Sequence, residues 1–213
     1  MSRRVTFHYA PQSRASCTLA LLETLQADYD LHMLDLRRGE QREAAHLAVN
    51  PLGKVPVIRH GDAVITEQVA IFIYLADLYA DRGLAPALDD PLRGPYLRWT
   101  VFYAASFEPA VVDRSLQREP APAMAGPYGD YDSVMRALAD QLAIGPYLLG
   151  ERFTAADVLW GTALRWTLAF NLVPDLPVFR DYVARITSRP DVARAIELDA
   201  RHAAAQSPEP ATA

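Results

Sequence analysis

Cysteine is nearly absent from this sequence. Cys17 is the one thiol among 213 residues, so no intramolecular disulfide can form, and no cysteine–histidine spacing suits a zinc site. Such a chain fits a reducing compartment. Long apolar runs are missing as well. The longest near the middle, residues 69–76, is bounded by Gln68 and Asp77 and is far shorter than the ~20 residues that cross a bilayer. It predicts a buried helix. Arg3 and Arg4 are followed by Val-Thr-Phe-His-Tyr and a proline, where a leader would carry an apolar core and a small-residue cleavage site. Positive charge is not in excess either. The net charge is −5 and the pI about 5.5, which excludes a global basic footprint for nucleic acid or an anionic membrane and leaves open a local basic pocket. These absences predict a cytoplasmic protein with no metal, nucleic-acid or membrane partner.

What is present is the balance of a globular chain: 51% hydrophobic and 22% charged residues, enough apolar surface to offset the entropy of ordering it. Residues 3–9 are β-branched and aromatic and stop at Ala10-Pro11, a strand and a turn. Ser13 opens a helical pattern with Leu19, Leu21, Leu22 and Leu25 on its apolar face, and residues 28–36 return to strand. A parallel βαβ unit with a right-handed crossover follows. Residues 40–49 predict a short helix stopped by Asn50-Pro51-Leu52-Gly53. Residues 55–59 and 63–65 are strands joined by the tight turn His60-Gly61-Asp62, and a strongly apolar helix covers 67–79. The order βαβαββα within about 80 residues is the thioredoxin-like arrangement.

A run of glycine, proline and aspartate then reads as a linker, and helical patterns take over at 97–116, 128–144, 155–170, 178–187 and 190–205, with a proline-rich loop at 119–127. The expected division is a thioredoxin-like α/β domain over 1–81, a linker over 82–95, an all-α helical domain over 96–205 and a disordered tail over 206–213.

Three stretches carry chemistry. In Asn50-Pro51-Leu52-Gly53-Lys54-Val55-Pro56-Val57, an X-Pro bond enters a strand just after a glycine turn, a place where a cis peptide can expose the backbone donor and acceptor of Val55. The alternative is a plain proline turn. Glu67 and Gln68 begin a helix, where unpaired N–H groups and the positive dipole end favour a carboxylate; taken alone, Glu67 reads as an ordinary first-turn acid. Pro11-Gln12-Ser13-Arg14-Ala15-Ser16 joins the first strand to the first helix, and Ser13 there is a good N-cap.

Together, Asn-Pro-x-Gly-Lys-Val-Pro and the Thr66-Glu67-Gln68 that starts ten residues beyond Pro56 resemble the glutathione-binding domain of cytosolic glutathione S-transferases. The resemblance implies that Val55, before a cis Pro56, pairs its backbone with the cysteinyl part of glutathione. It puts the Glu67 carboxylate and the Gln68 N–H on the γ-glutamyl group; the family usually has serine after the Glu, so Gln68 departs from the pattern. Lys54 is a candidate partner for the glycine carboxylate. The β1–α1 turn is similar to that of serine-type members, in which a hydroxyl holds the glutathione sulfur as thiolate. Ser13 is the first candidate for that catalytic role, with Ser16, Cys17 and Tyr9 in reserve. A thiol of pKa about 8.5 must shift by about two units, roughly 2.7 kcal/mol, to ionise at neutral pH, and helix-end donors with one hydroxyl can supply that.

In the helical region, Phe153-Thr154-Ala155-Ala156-Asp157 is a capping box, and it resembles the box of the family's second domain; loss of Asp157 is expected to harm folding more than chemistry. Tyr103, Phe107, Trp166 and Phe170 are aromatic at helical spacing, which ordinarily means core. The resemblance turns some of them, first Tyr103, Phe107 and Trp166, toward an apolar electrophile. It also implies a homodimer. The function expected is transfer of the glutathione thiolate to small apolar electrophiles, with glutathione as co-substrate. The alternatives are a non-catalytic binder of the same fold and a glutathione-dependent isomerase, dehalogenase or peroxidase.

Overall fold

Val5, Phe7 and Tyr9 alternate along the first strand and are all but inaccessible to solvent, as a half-buried pleat requires. The structure is a computed structural model and describes residues 2–119, 121–122 and 125–206. Strand β1 (Val5–Tyr9) leads through a turn into α1 (Ala15–Leu25), which returns the chain to β2 (Tyr29–Met33). β1 and β2 pair in parallel, Val5 with Tyr29 through Tyr9 with Met33, as the βαβ reading expects. β3 (Val57–His60) pairs antiparallel with β1, and β4 (Ala63–Ile65) antiparallel with β3, giving a mixed sheet of order β2-β1-β3-β4. α3 (Gln68–Leu78) completes the thioredoxin-like order, with Ile71, Phe72, Leu75 and Ala76 wholly buried.

Between β2 and β3 the expected helix is shorter than the pattern suggested. A 3₁₀ turn at Glu40–Arg42 and a four-residue α2 (Ala44–Leu47) are separated by Glu43 in extended conformation. The Glu40 side chain accepts the Asp35 N–H at 2.8 Å, so local side-chain bonding competes with a continuous helix.

The helices that follow are α4 (Arg93–Phe102), α5 (Glu108–Ser115), α6 (Tyr131–Leu142), α7 (Ala155–Ala169), α8 (Pro177–Thr187) and α9 (Pro190–Ala205). α4 begins inside the stretch read as linker; Pro95 falls in its first turn, where a missing N–H costs nothing. A π segment, Tyr103–Phe107, joins α4 to α5, and the Glu108 N–H reaches back five residues to the Tyr103 carbonyl. Pro109 explains the change of register, because it cannot donate to the ladder and its ring displaces the carbonyl one turn back.

The chain forms two compact units. The first holds the sheet, α1 and α2, the start of α3 and, from Pro190 on, α9; the second spans Phe72–Arg189. α9 therefore packs with the first unit and not, as its helical pattern predicts, with the helices of residues 96–189. Val192, Ala195 and Ala203 are buried along α9, Arg194 bonds Glu23 of α1 at 2.9 Å, and Gln206, the one described residue of the expected tail, donates to the Leu34 carbonyl at 3.2 Å. Residues 207–213 lie outside the described residues, as do Pro120, Ala123 and Met124 of the expected loop. In the second unit the core centres on Trp160, whose indole N–H donates to the Trp99 carbonyl at 3.0 Å.

Among the described residues no helix is long and apolar enough to cross a membrane, and no cluster of three or more His, Cys, Asp or Glu side chains is arranged to hold a metal ion.

Candidate active site

β1 runs through Ala10 and Pro11 into Gln12, which sits in the left-handed region at φ 53°. Ser13 follows. Its hydroxyl donates to the Ala10 carbonyl at 2.7 Å and accepts the Ala15 N–H at 3.1 Å. The helix proper starts at Ala15 with Arg14 in the cap position, so Ser13 lies just outside it yet still satisfies its first N–H. Ser16 accepts the Ser13 N–H at 3.3 Å and donates to Asp199 at 2.6 Å. Tyr9 donates to the same carboxylate oxygen at 2.5 Å; burial first, and that hydrogen bond second, raise the phenol above its ordinary pKa. Cys17 is 2% exposed. Among the three hydroxyls expected near the sulfur, Ser13 alone has its proton on a neutral backbone acceptor; Ser16 and Tyr9 give theirs to a carboxylate.

The second part of the site is the loop before β3. The Asn50 amide and the His46 Nε2–H both donate to the Lys54 carbonyl, at 2.9 and 3.1 Å. Since a carbonyl accepts only, the His46 proton resides on Nε2. Gly53 has φ 59°, and a Cβ there would stand 2.8 Å from the Gln41 carbonyl, so backbone conformation and space both demand glycine. Thus pinned, the loop delivers the Val55-Pro56 peptide in the expected cis form. Among the described residues neither the N–H nor the C=O of Val55 has a hydrogen-bond partner. The pairing of His8 with Val57 puts this end of β3 beside the end of β1 that leads into Ser13. Lys54, the only lysine in the sequence, is exposed.

The third part is the start of α3. Glu67 is exposed with φ 62°. The Ile71 N–H to Glu67 carbonyl bond, 3.0 Å, is the first of the helix, which leaves the Gln68, Val69 and Ala70 N–H groups outside the ladder at the positive end of the dipole. Gln68, in the place where the family usually has serine, donates its side-chain amide to the Arg14 carbonyl at 3.1 Å and so ties the start of α3 to the start of α1. Hydroxyl, unpaired strand backbone and helix-end N–H groups thus gather at one end of the sheet. That set can hold an extended zwitterionic peptide and face a sulfur with a hydroxyl donor.

Two contributors went unnoticed in the sequence. His46 gave no signal beyond its nearness to the loop motif. Asp199, 183 residues from Ser16, gave none, because only the docking of α9 brings it to the turn.

In the second unit Tyr103 and Phe107 are 2% and 0% exposed and lie against Trp160, with ring centroids 5.5 and 4.8 Å away. They stand in the core of that unit. Trp166, six residues beyond Trp160 on α7, is half-buried, and Phe170 is 70% exposed. Thr154 and Asp157 form the expected capping box. Asp157 is inaccessible to solvent and accepts from the Thr154 N–H and hydroxyl, the Leu148 N–H and the Tyr182 hydroxyl at 2.8–3.0 Å. Burial raises its pKa, and these four donors oppose the rise.

A mixed four-stranded sheet with a cis-proline loop beside the β1–α1 turn, followed by helices, defines a thioredoxin-fold protein with a helical second region. Residues 5–77 match the model of the glutathione S-transferase N-terminal domain. Glutathione S-transferase APIC of Nicotiana tabacum is 30% identical over 167 residues, covering 72% of this chain and 78% of that protein. Among solved structures, a glutathione transferase from Methylococcus capsulatus superposes with a TM-score of 0.77 at 27% identity, covering 92% of this chain and 99% of that one. A sphingomonad glutathione S-transferase complexed with glutathione does so with a TM-score of 0.75 at 27% identity, covering 92% and 98%. The chain belongs to the glutathione S-transferase family.

Proposed function

We propose that this protein binds glutathione across the β1–α1 turn, the Val55 backbone and the start of α3, and transfers its thiolate to a small apolar electrophile. The observation that carries the reading is the unpaired N–H and C=O of Val55 beside the Ser13 turn, a pair that an extended peptide can match as an added strand. The Glu67 carboxylate takes the γ-glutamyl ammonium, and the helix-end N–H groups from Gln68 take its carboxylate; Lys54 is within the same loop for the glycine carboxylate. The Ser13 hydroxyl turns its proton from the Ala10 carbonyl to the sulfur and the thiol proton leaves to solvent; the sulfur lone pair then forms the new C–S bond as the electrophile's leaving group departs with its electron pair or, in an addition, as the π electrons of its double bond move to the far atom, which takes a proton from solvent. Binding and orientation do most of the work, with a lowered thiol pKa. Of the three positions expected to meet the electrophile, Tyr103 and Phe107 are buried in the core of the second unit and Trp166 alone is partly exposed. The protein acts as a homodimer in the cytoplasm.

Calorimetric titration with glutathione, followed by conjugation of a small aromatic electrophile, tests this reading. Ser13→Ala should lower kcat at neutral pH by about 10- to 25-fold, the change in ionised fraction that a shift of one to two units from a pKa of about 8.5 brings, with affinity for glutathione nearly unchanged. Glu67→Ala should weaken binding instead. Binding without turnover would favour a non-catalytic carrier, and no binding at millimolar glutathione would end both readings.

A further inference from the structure

The carboxylate of Asp199 reaches from α9 to the turn that carries Ser13 and holds it at three points. Its Oδ1 accepts the Tyr9 hydroxyl at 2.5 Å and the Ser16 hydroxyl at 2.6 Å, and the Gln12 N–H points between its two oxygens at 3.3 Å from each. Tyr9 ends β1, Gln12 is the turn and Ser16 lies in the first turn of α1. One anion thus fixes strand end, turn and helix start relative to one another, on both sides of Ser13. The first two bonds are short and charge-assisted, the kind that resists being traded for water. The third meets the one strained point of the segment: Gln12 is in the left-handed region, unfavourable for a residue with a Cβ, and the carboxylate engages that N–H directly.

We propose that Asp199 is a positioning residue of the sulfur site, acting through Gln12, Tyr9 and Ser16 to fix where the Ser13 hydroxyl and the start of α1 present themselves. The proposal rests on the reading that the β1–α1 turn holds the glutathione sulfur. It explains why two of the three hydroxyls near that turn are bound to a carboxylate: Tyr9 and Ser16 are anchors, and Ser13, bonded to a backbone carbonyl, is the one that acts. The contacts read for the rest of glutathione, at Val55 and at Glu67 and Gln68, involve none of the atoms that Asp199 holds. Loss of Asp199 therefore belongs in kcat rather than in KM for glutathione.

The test compares Asp199→Ala, Asp199→Glu and Arg194→Ala in the full-length protein, with glutathione and a small aromatic electrophile. Arg194 pairs with Glu23 across the same α1–α9 contact at 2.9 Å and touches nothing at the turn, so its removal loosens docking alone. Asp199→Ala should lower kcat by about tenfold or more, the scale of a small misplacement of a reacting group. KM for glutathione should stay within about twofold, Asp199→Glu should restore part of kcat, and Arg194→Ala should keep it all. An equal fall in kcat for Arg194→Ala, or a rise in KM with kcat unchanged, would overturn the proposal. Amide exchange at Gln12 gives a readout independent of turnover: protected in the wild type and in Arg194→Ala, at least tenfold faster in Asp199→Ala. A wild type that neither binds nor turns over glutathione defeats the functional reading. Unchanged Gln12 exchange in Asp199→Ala defeats the clamp itself.

Discussion

His8 shows how a single residue can make this fold sensitive to acid. It lies between Phe7 and Tyr9 on β1 but faces the opposite side of the sheet, 6% exposed, with the His32 ring centroid 4.6 Å away and that of His46 5.6 Å away. Burial first, then the charges of His32, His46 and Arg59, push its pKa down to about 4. In the unfolded chain the same group titrates near 6.5. Between those values the unfolded state binds more protons, so stability is complete above pH ~6.5 and is lost as pH falls toward about 4. From pH 6.5 to 5 the loss from this one group should be about 1–2 kcal/mol. Urea midpoints of wild type and His8→Val at the two pH values check it, and the variant should show a shallower dependence; an identical slope would remove His8 as the cause. The residue scale was also where reading the sequence stopped short. Ser13, Val55, Glu67 and Gln68 stand in short local motifs and could be singled out, whereas the partners that hold them, His46 and Asp199, are chosen by tertiary approach.

At the scale of elements, local pattern located nearly every strand and helix, because apolar period and turn residues are local properties. What it did not resolve were places where one residue alters a ladder. Pro109 inside an apolar helical run produced a π segment rather than a break, and the side-chain bond of Glu40 to the Asp35 N–H left a 3₁₀ turn and a short α2 in place of one helix. The same limit hides Gly161. On α7 a glycine looks like a weak spot, since alanine is the better helix former by about 1 kcal/mol. Yet a Cβ at Gly161 would stand 2.5 Å from both Cβ and Cγ2 of Ile186 on α8, and Ile186 is itself wholly buried. The absence of a side chain is what lets the two helices approach. Gly161→Ala is therefore expected to destabilise the protein by about 2 kcal/mol, overpacking outweighing propensity. Urea unfolding measures it directly, and an unchanged or raised midpoint would mean that α7 and α8 separate at no cost.

At the scale of the whole molecule, the order of elements along the chain and the order in which they pack diverge at the end. Composition changes once, after the thioredoxin-like segment, and every later element is a helix, so a division into an α/β half and an all-α half is what a linear reading must give. The packing instead returns α9 to the first unit. There the His202 ring packs against that of Tyr9, 5.6 Å between centroids, Arg194 pairs with Glu23 and Asp199 binds the turn. Cooperative opening follows packing rather than sequence neighbourhood. The amides of α9 should therefore exchange with the same opening free energy as those of β1 and α1, although α8 is separated from α9 by only two residues. Native-state hydrogen exchange at increasing, sub-denaturing urea resolves this. If the α9 amides merge with those of α8 instead, the last helix is energetically part of the second unit. Merging with β1 and α1 would mean that the Ser13 turn depends for its stability on a helix far from it along the chain.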